Sequence, residues 1–173
     1  FVFTIGRAEA EHLFVTRQAA FLVSGPWSLP RLQAALPADE IAVAVLPSGP
    51  ANRASPMLEV EGVMLNATIR DDKIAAGLAF ARFLSSASSA QALLATGAHV
   101  PANVTVSLAD APLVNVFGEQ AQMAAPVIQD SRWLQVFDEG DDLYNITVLG
   151  NVDIPTAVAD FAKAIQRIAQ SQQ

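Results

Sequence analysis

Apolar residues recur along this chain with two periods, and each period predicts a different element. Between Ala8 and Arg17 the spacing puts Leu13 and Phe14 on one side, which predicts a helix, and a shorter helix is predicted from Ser28 to Leu36. Asp71 or Asp72 can cap a longer helix in which Ile74, Leu78 and Ala81 share one face and Ala76, Phe80 and Phe83 another. So little polar surface remains that burial on more than one side is expected. Ser88 or Ser89 can cap a further helix, ending at Gly97 where a left-handed residue is wanted. From Asp153 onward, Ile154, Ala157, Val158, Phe161, Ala164, Ile165 and Ile168 form one stripe opposite Asp160, Lys163, Gln166 and Arg167. That pattern predicts an amphipathic helix docked on the rest of the chain.

Other segments read as extended. Ala19–Val23 is apolar and β-prone, and Ile41–Leu46 is a short, wholly apolar run of the kind found where both faces of a strand are covered. Gly49, Pro50, Asn52 and Pro56 make Pro47–Pro56 a loop, after which Met57–Ile69 is extended, with an interruption or close backbone approach expected at Gly62. Ile41–Leu46 and Met57–Ile69 are expected to lie in one sheet. A small Ser/Ala-rich link spans Ser85–Ala90, and no internal repeat is evident. The mixture predicts an α/β fold. At Gly25-Pro26-Trp27 an apolar strand stops and a helix can begin, so Trp27 falls at a strand-to-helix corner, where α/β folds place ligand sites.

Composition narrows the function classes. With 173 residues, 52% hydrophobic and 16% charged, the chain can bury a substantial core without a metal or disulfide staple. Cysteine is absent, which removes disulfides, thiolate metal sites and cysteine nucleophiles. A net charge of -7 without a basic stripe argues against nucleic acid as the main partner. No apolar run reaches the about 20 residues of a membrane span, and Phe1 opens no signal peptide. The expectation is an export signal in a missing half or, failing that, a cytoplasmic protein.

Catalytic constellations are scarce. The histidines are His12, in a predicted helix, and His99, beside a Gly/Pro turn, and no Gly-x-Ser-x-Gly elbow accompanies them. Asp138, Glu139, Asp141 and Asp142 lack the alternating ligands of a calcium loop, so they read as a solvated, weakly ordered face and no metal site is expected. Gly49, Gly62 and Gly97 lie too far apart for a phosphate-binding fingerprint, and no cofactor is expected. Asn66, Asn103 and Asn145 are each followed two residues later by Thr, the acceptor pattern for N-glycosylation, which short tripeptides also meet by chance.

A resemblance runs through the chain in order. Ala19-Ala20-Phe21-Leu22-Val23-Ser24-Gly25-Pro26-Trp27 resembles the "AAM-x-x-x-GPW" segment of the extracellular solute-binding proteins that serve ABC importers, the family that includes maltose-binding proteins. Val45-Leu46-Pro47-Ser48-Gly49-Pro50 is similar to that family's "LP-x-G" strand end, and Glu61–Asn66 to its "GG-x-x-x-x-I" strand. Ile74–Leu84 resembles its "AA-x-x-F-x-x-F-L" helix, Gly97–Ala102 its "G-x-x-P-A" turn, and Gly150–Val158 its closing helix. Such proteins span two domains and are roughly twice this length. The resemblance therefore implies the C-terminal half of a two-lobed, type II periplasmic binding-protein fold. Residues 1–40 and 99–173 would belong mainly to the second lobe, and 41–98 would cross back to the first.

It also implies a function: non-covalent capture of a sugar, polyol or similar small polar solute between lobes, for delivery to an ABC permease, in the periplasm or outside the cell. Membrane anchoring of the full-length protein is compatible with this. By resemblance Trp27 and Trp133 would stack on the solute, with Gly25 and Gly62 allowing close backbone approach and Asp130 or Arg132 reaching hydroxyls. A flat aromatic face suits the apolar C–H face of a sugar. For Asp130 and Arg132 a surface ion pair is the competing role. The Gly62-Val63 pair departs from the family's two glycines, and only 7% of residues are aromatic, which favours a small ligand. Two other classes compete: a ligand-free interaction domain with both tryptophans in its core, and a hydrolase, for which no nucleophile, base and orienting group assemble. A half studied alone would expose apolar surface and self-associate.

Overall fold

The computed structural model describes residues 6–50, 52–127, 130–150 and 152–171. The chain divides into two compact units, Ile5–Pro126 and a smaller one built mainly of Val127–Gln173.

The larger unit begins with α1 (Arg7–Val15), which ends where Arg17 takes a φ of 60°. A 3₁₀ turn at Pro26–Ser28 leads into α2 (Leu29–Ala35), Pro26 and Pro30 sitting where a missing N–H does no harm. α3 (Asp71–Leu84) and α4 (Ala87–Leu94) follow, joined by Ser85 and Ser86. Ser86 caps α4 by accepting the Ser89 N–H, and Gly97 adopts a φ of 73° beyond its end. The Ser/Ala-rich link at Ser85–Ala90 is thus a helix boundary, with the cap at Ser86 rather than at Ser88 or Ser89 as expected. α5 (Pro112–Ala121) completes the unit.

Two small clusters hold these helices. Leu29, Leu94 and Val114 are joined by half-buried Val43, Val100 and Phe117. Leu32, Leu36 and Ile41 pack with Phe14, Val15 and Leu22. Ile41 and Val43 therefore contribute to the core as the expected strand would, but no strand forms between Ile41 and Leu46. The sheet is confined to β1 (Met57–Leu58) and β2 (Ala125–Pro126), paired in parallel with Met57 opposite Ala125. Neither Ala19–Val23 nor the stretch from Glu59 to Ile69 enters a ladder. A strand exists only where a neighbour satisfies its main-chain groups, and these runs have no such neighbour among the described residues. α3 likewise has no buried residue, with Phe80 59% and Phe83 61% exposed, so the double-sided burial expected of it does not occur.

The smaller unit pairs α6 (Trp133–Val148) with α7 (Ile154–Gln170). Asp153 caps α7 by accepting the Thr156 N–H, and Ala157 and Ala164 of the predicted stripe are buried. The acidic quartet read as weakly ordered lies within α6, where Asp138, Asp141 and Asp142 are exposed. No helix among the described residues is long and apolar enough to cross a membrane.

Candidate functional site

The corner after the Ala19–Val23 run is built from the inside outward. Ser28 is buried, and its hydroxyl donates to Glu11 Oε1 at 2.7 Å while its oxygen lies 2.7 Å from Ser24 Oγ. Glu11, also buried, forms an ion pair with Arg31. A buried carboxylate needs such partners, because an unpaired charge away from water is strongly disfavoured. The network ties α1, the Ser24–Ser28 turn and α2 together. Trp27, next to Ser28 in the chain, is 56% exposed. Its six-membered ring folds back over Gly25, which is buried and extended at φ -112°. A Cβ on Gly25 would stand 2.6 Å from Trp27 Cε3, so only glycine leaves the ring that position. The close approach expected at Gly25 is therefore made by the chain's own indole.

Gly62 has open surroundings, with nothing within 4 Å of where a Cβ would be. Among the described residues no backbone or side chain crowds it, so of the interruption or close backbone approach expected there, the close approach is not made within the chain.

In the smaller unit Asp130, Arg132 and Trp133 come together where α6 begins. Asp130 accepts the Arg132 main-chain N–H at 2.9 Å and both arms of its guanidinium, from Nε at 2.9 Å and Nη2 at 2.6 Å. These charge-assisted bonds hold the Asp130 carboxyl well below the usual carboxylate range and raise the Arg132 pKa. Arg132 Nη1 also donates to the Ala169 carbonyl at 2.8 Å near the C-terminus of α7. The pair is thus committed to joining two helices, which is the ion-pair alternative, and its fork is turned inward on the protein. Trp133 is half-buried, its ring meeting Phe137 edge-on at a centroid distance of 5.4 Å. Its Nε1 is buried without a hydrogen-bond partner among the described residues.

A cleft that the sequence did not signal lies between the Pro47–Pro56 loop and the end of α5, with a volume of about 500 Å³. Gln120 pins its walls by accepting the Leu46 N–H at 2.7 Å and donating to the Ala54 carbonyl at 3.3 Å. Val45, Ser48, Arg53, Glu119 and Met123 line it. The signal that could have located it is Gln120 itself, a polar residue among the apolar positions of α5.

Among the described residues neither histidine side chain makes a hydrogen bond, and the buried Ser28 hydroxyl faces Glu11 and Ser24. The Asn66 and Asn103 side chains each accept the main-chain N–H and the hydroxyl of the Thr two residues on, closing local turns, while Asn145 lies inside α6. No grouping of three or more His, Asp or Glu among the described residues is arranged to hold a metal ion. No protein-family model and no curated protein matches the chain.

Proposed function

We propose that this chain is part of a solute-binding component of an ABC importer and captures a sugar, polyol or similar polar solute. The observation that carries the reading is Trp27: an indole more than half exposed, its ring held over Gly25 and its backbone next to the buried Ser28. An exposed aromatic ring on a fixed support loses little freedom when a ligand stacks on it. The resemblance of the Ala19–Trp27 segment to the family's "GPW" corner supplies the ligand class.

In this reading the chain is the C-terminal half of a type II binding-protein fold, residues 41–98 cross to the first lobe, and the protein works in the periplasm or outside the cell with a membrane permease as partner. Trp27, in the larger unit, is the stacking platform. Asp130 and Arg132 serve by fixing the start of α6 and so the place of Trp133. No bond is made or broken in the solute.

The test is a thermal-shift screen of sugars and polyols on the two-lobed protein, followed by calorimetry with the best hit. A ligand that binds the native state must raise its stability. Failure of every member of the screen to shift the transition, or an affinity unchanged by Trp27→Ala, would discard the reading.

A further inference from the structure

The cleft between the Pro47–Pro56 loop and the end of α5 has walls that are fixed to one another. Half-buried Gln120 joins α5 to Leu46 on one side and to Ala54 on the other. The loop closes on itself where the Gly49 N–H donates to the Asn52 carbonyl at 2.9 Å, and its far end is tied down where the Ala125 N–H donates to the Pro56 carbonyl at 2.9 Å, beside the β1–β2 pair. Walls set in advance need little ordering when a ligand arrives. The volume of about 500 Å³ lies within the range of about 300–1,000 Å³ usual for small-molecule sites.

This cleft holds one cation and one anion that do not pair. Arg53 and Glu119 both line it, and neither forms an ion pair among the described residues. The Arg53 side chain donates only to the Met123 thioether, from Nη1 at 3.6 Å, a weak acceptor that leaves its other N–H groups free among the described residues. Glu119 accepts from Asn115 Nδ2 on Oε1 at 2.8 Å, which steadies the carboxylate and leaves Oε2 open. Met123 follows Glu119 by four residues, and the Met123 N–H still bonds back to the Gln120 carbonyl, so the chain keeps turning and brings the two positions to one side. Val45, Ala54 and Met123 add an apolar surface between the polar groups.

We infer that this cleft binds a small zwitterion, an α-amino acid with an apolar side chain, its carboxylate on Arg53 and its ammonium on Glu119. A purely anionic ligand would be opposed by Glu119 and a purely cationic one by Arg53, whereas a ligand carrying both charges forms a charge-assisted bond to each. The side chain then rests on Val45, Ala54 and Met123. No residue of the cleft belongs to the Trp27 corner, so the inference does not depend on the proposed solute site.

Calorimetry on the 173-residue chain at neutral pH tests it, with L-leucine as the probe and N-acetyl-L-leucine and L-leucinamide as analogues that each lack one charge. Leucine is expected to bind with a Kd of about 1 mM or tighter, and each analogue about tenfold or more weaker. Arg53→Gln and Glu119→Gln should each weaken leucine to a similar degree with an unchanged circular dichroism spectrum, both side chains being exposed. Arg82→Gln, on exposed α3, is the control and should change nothing. Titration followed by NMR gives the second measurement: leucine should shift the Gln120 side-chain amide signals. Absence of leucine binding, an analogue that binds as well as leucine, an affinity indifferent to either cleft variant, one equally weakened by Arg82→Gln, or unmoved Gln120 signals would each overturn the inference.

Discussion

The indole of Trp27 rests on the backbone of Gly25, two residues before it, at a spacing that no side chain on residue 25 could share. Because Gly25 has a φ of -112°, its backbone is open to any residue, and the requirement for glycine is one of space. Gly25→Ala should therefore leave the fold intact and displace the ring, since Trp27 is exposed enough to take another rotamer. Gly25 is buried, so the expected stability loss is about 1 kcal/mol, typical of a single substitution. A shifted tryptophan emission spectrum together with weaker solute binding is the outcome to look for; unchanged emission would show that the ring has another support.

Trp27→Ala removes the platform itself. In the two-lobed protein it should weaken solute binding by about 1 kcal/mol, a factor of roughly five, without altering the melting temperature by more than a few degrees. Calorimetry on folded variant protein checks this directly.

At the same corner, Ser28→Ala would take a donor from buried Glu11 and a partner from Ser24. Leaving a buried carboxylate short of a hydrogen bond costs about 1–3 kcal/mol. Urea unfolding should show the midpoint moving down with the slope unchanged, the mark of lost stability in an intact fold.

The Asp130–Arg132 pair predicts a pH signature. Asp130 has a folded-state pKa below its ordinary value of about 3.9, so its stabilising contribution is complete above that value and is lost as pH falls from there toward the lower, folded value. Asp130→Asn should be less stable than the unmodified protein at pH 7, and the gap should begin to narrow below about pH 4, where the unfolded chain takes up the proton, and go on narrowing toward the lower, folded value. Denaturation curves across pH 3–7 measure it. A constant gap over that range would show that the carboxylate charge is not what holds Arg132.

Helices α1, α3, α4 and α7 follow from the sequence because each helix satisfies its own main chain, so apolar spacing and a capping residue such as Asp153 suffice to place it within a turn or so. The turn at Gly25-Pro26-Trp27 is legible for the same reason: glycine and proline act on their own backbone. α5 and α6 are not legible in the sequence, the latter because Asp138, Glu139, Asp141 and Asp142 look like solvated chain until α6 is seen paired with α7. What only the tertiary structure decided is everything that needs a second segment. Ile41 and Val43 carry strand composition yet pack as core residues without a ladder, and Phe21 and Val23 carry it yet stand exposed, because pairing depends on a neighbour that composition cannot supply. The hydrogen bond from Ser28 to Glu11, 17 residues apart, and the reach of Arg132 to the Ala169 carbonyl, 37 residues away, belong to that same class of contacts.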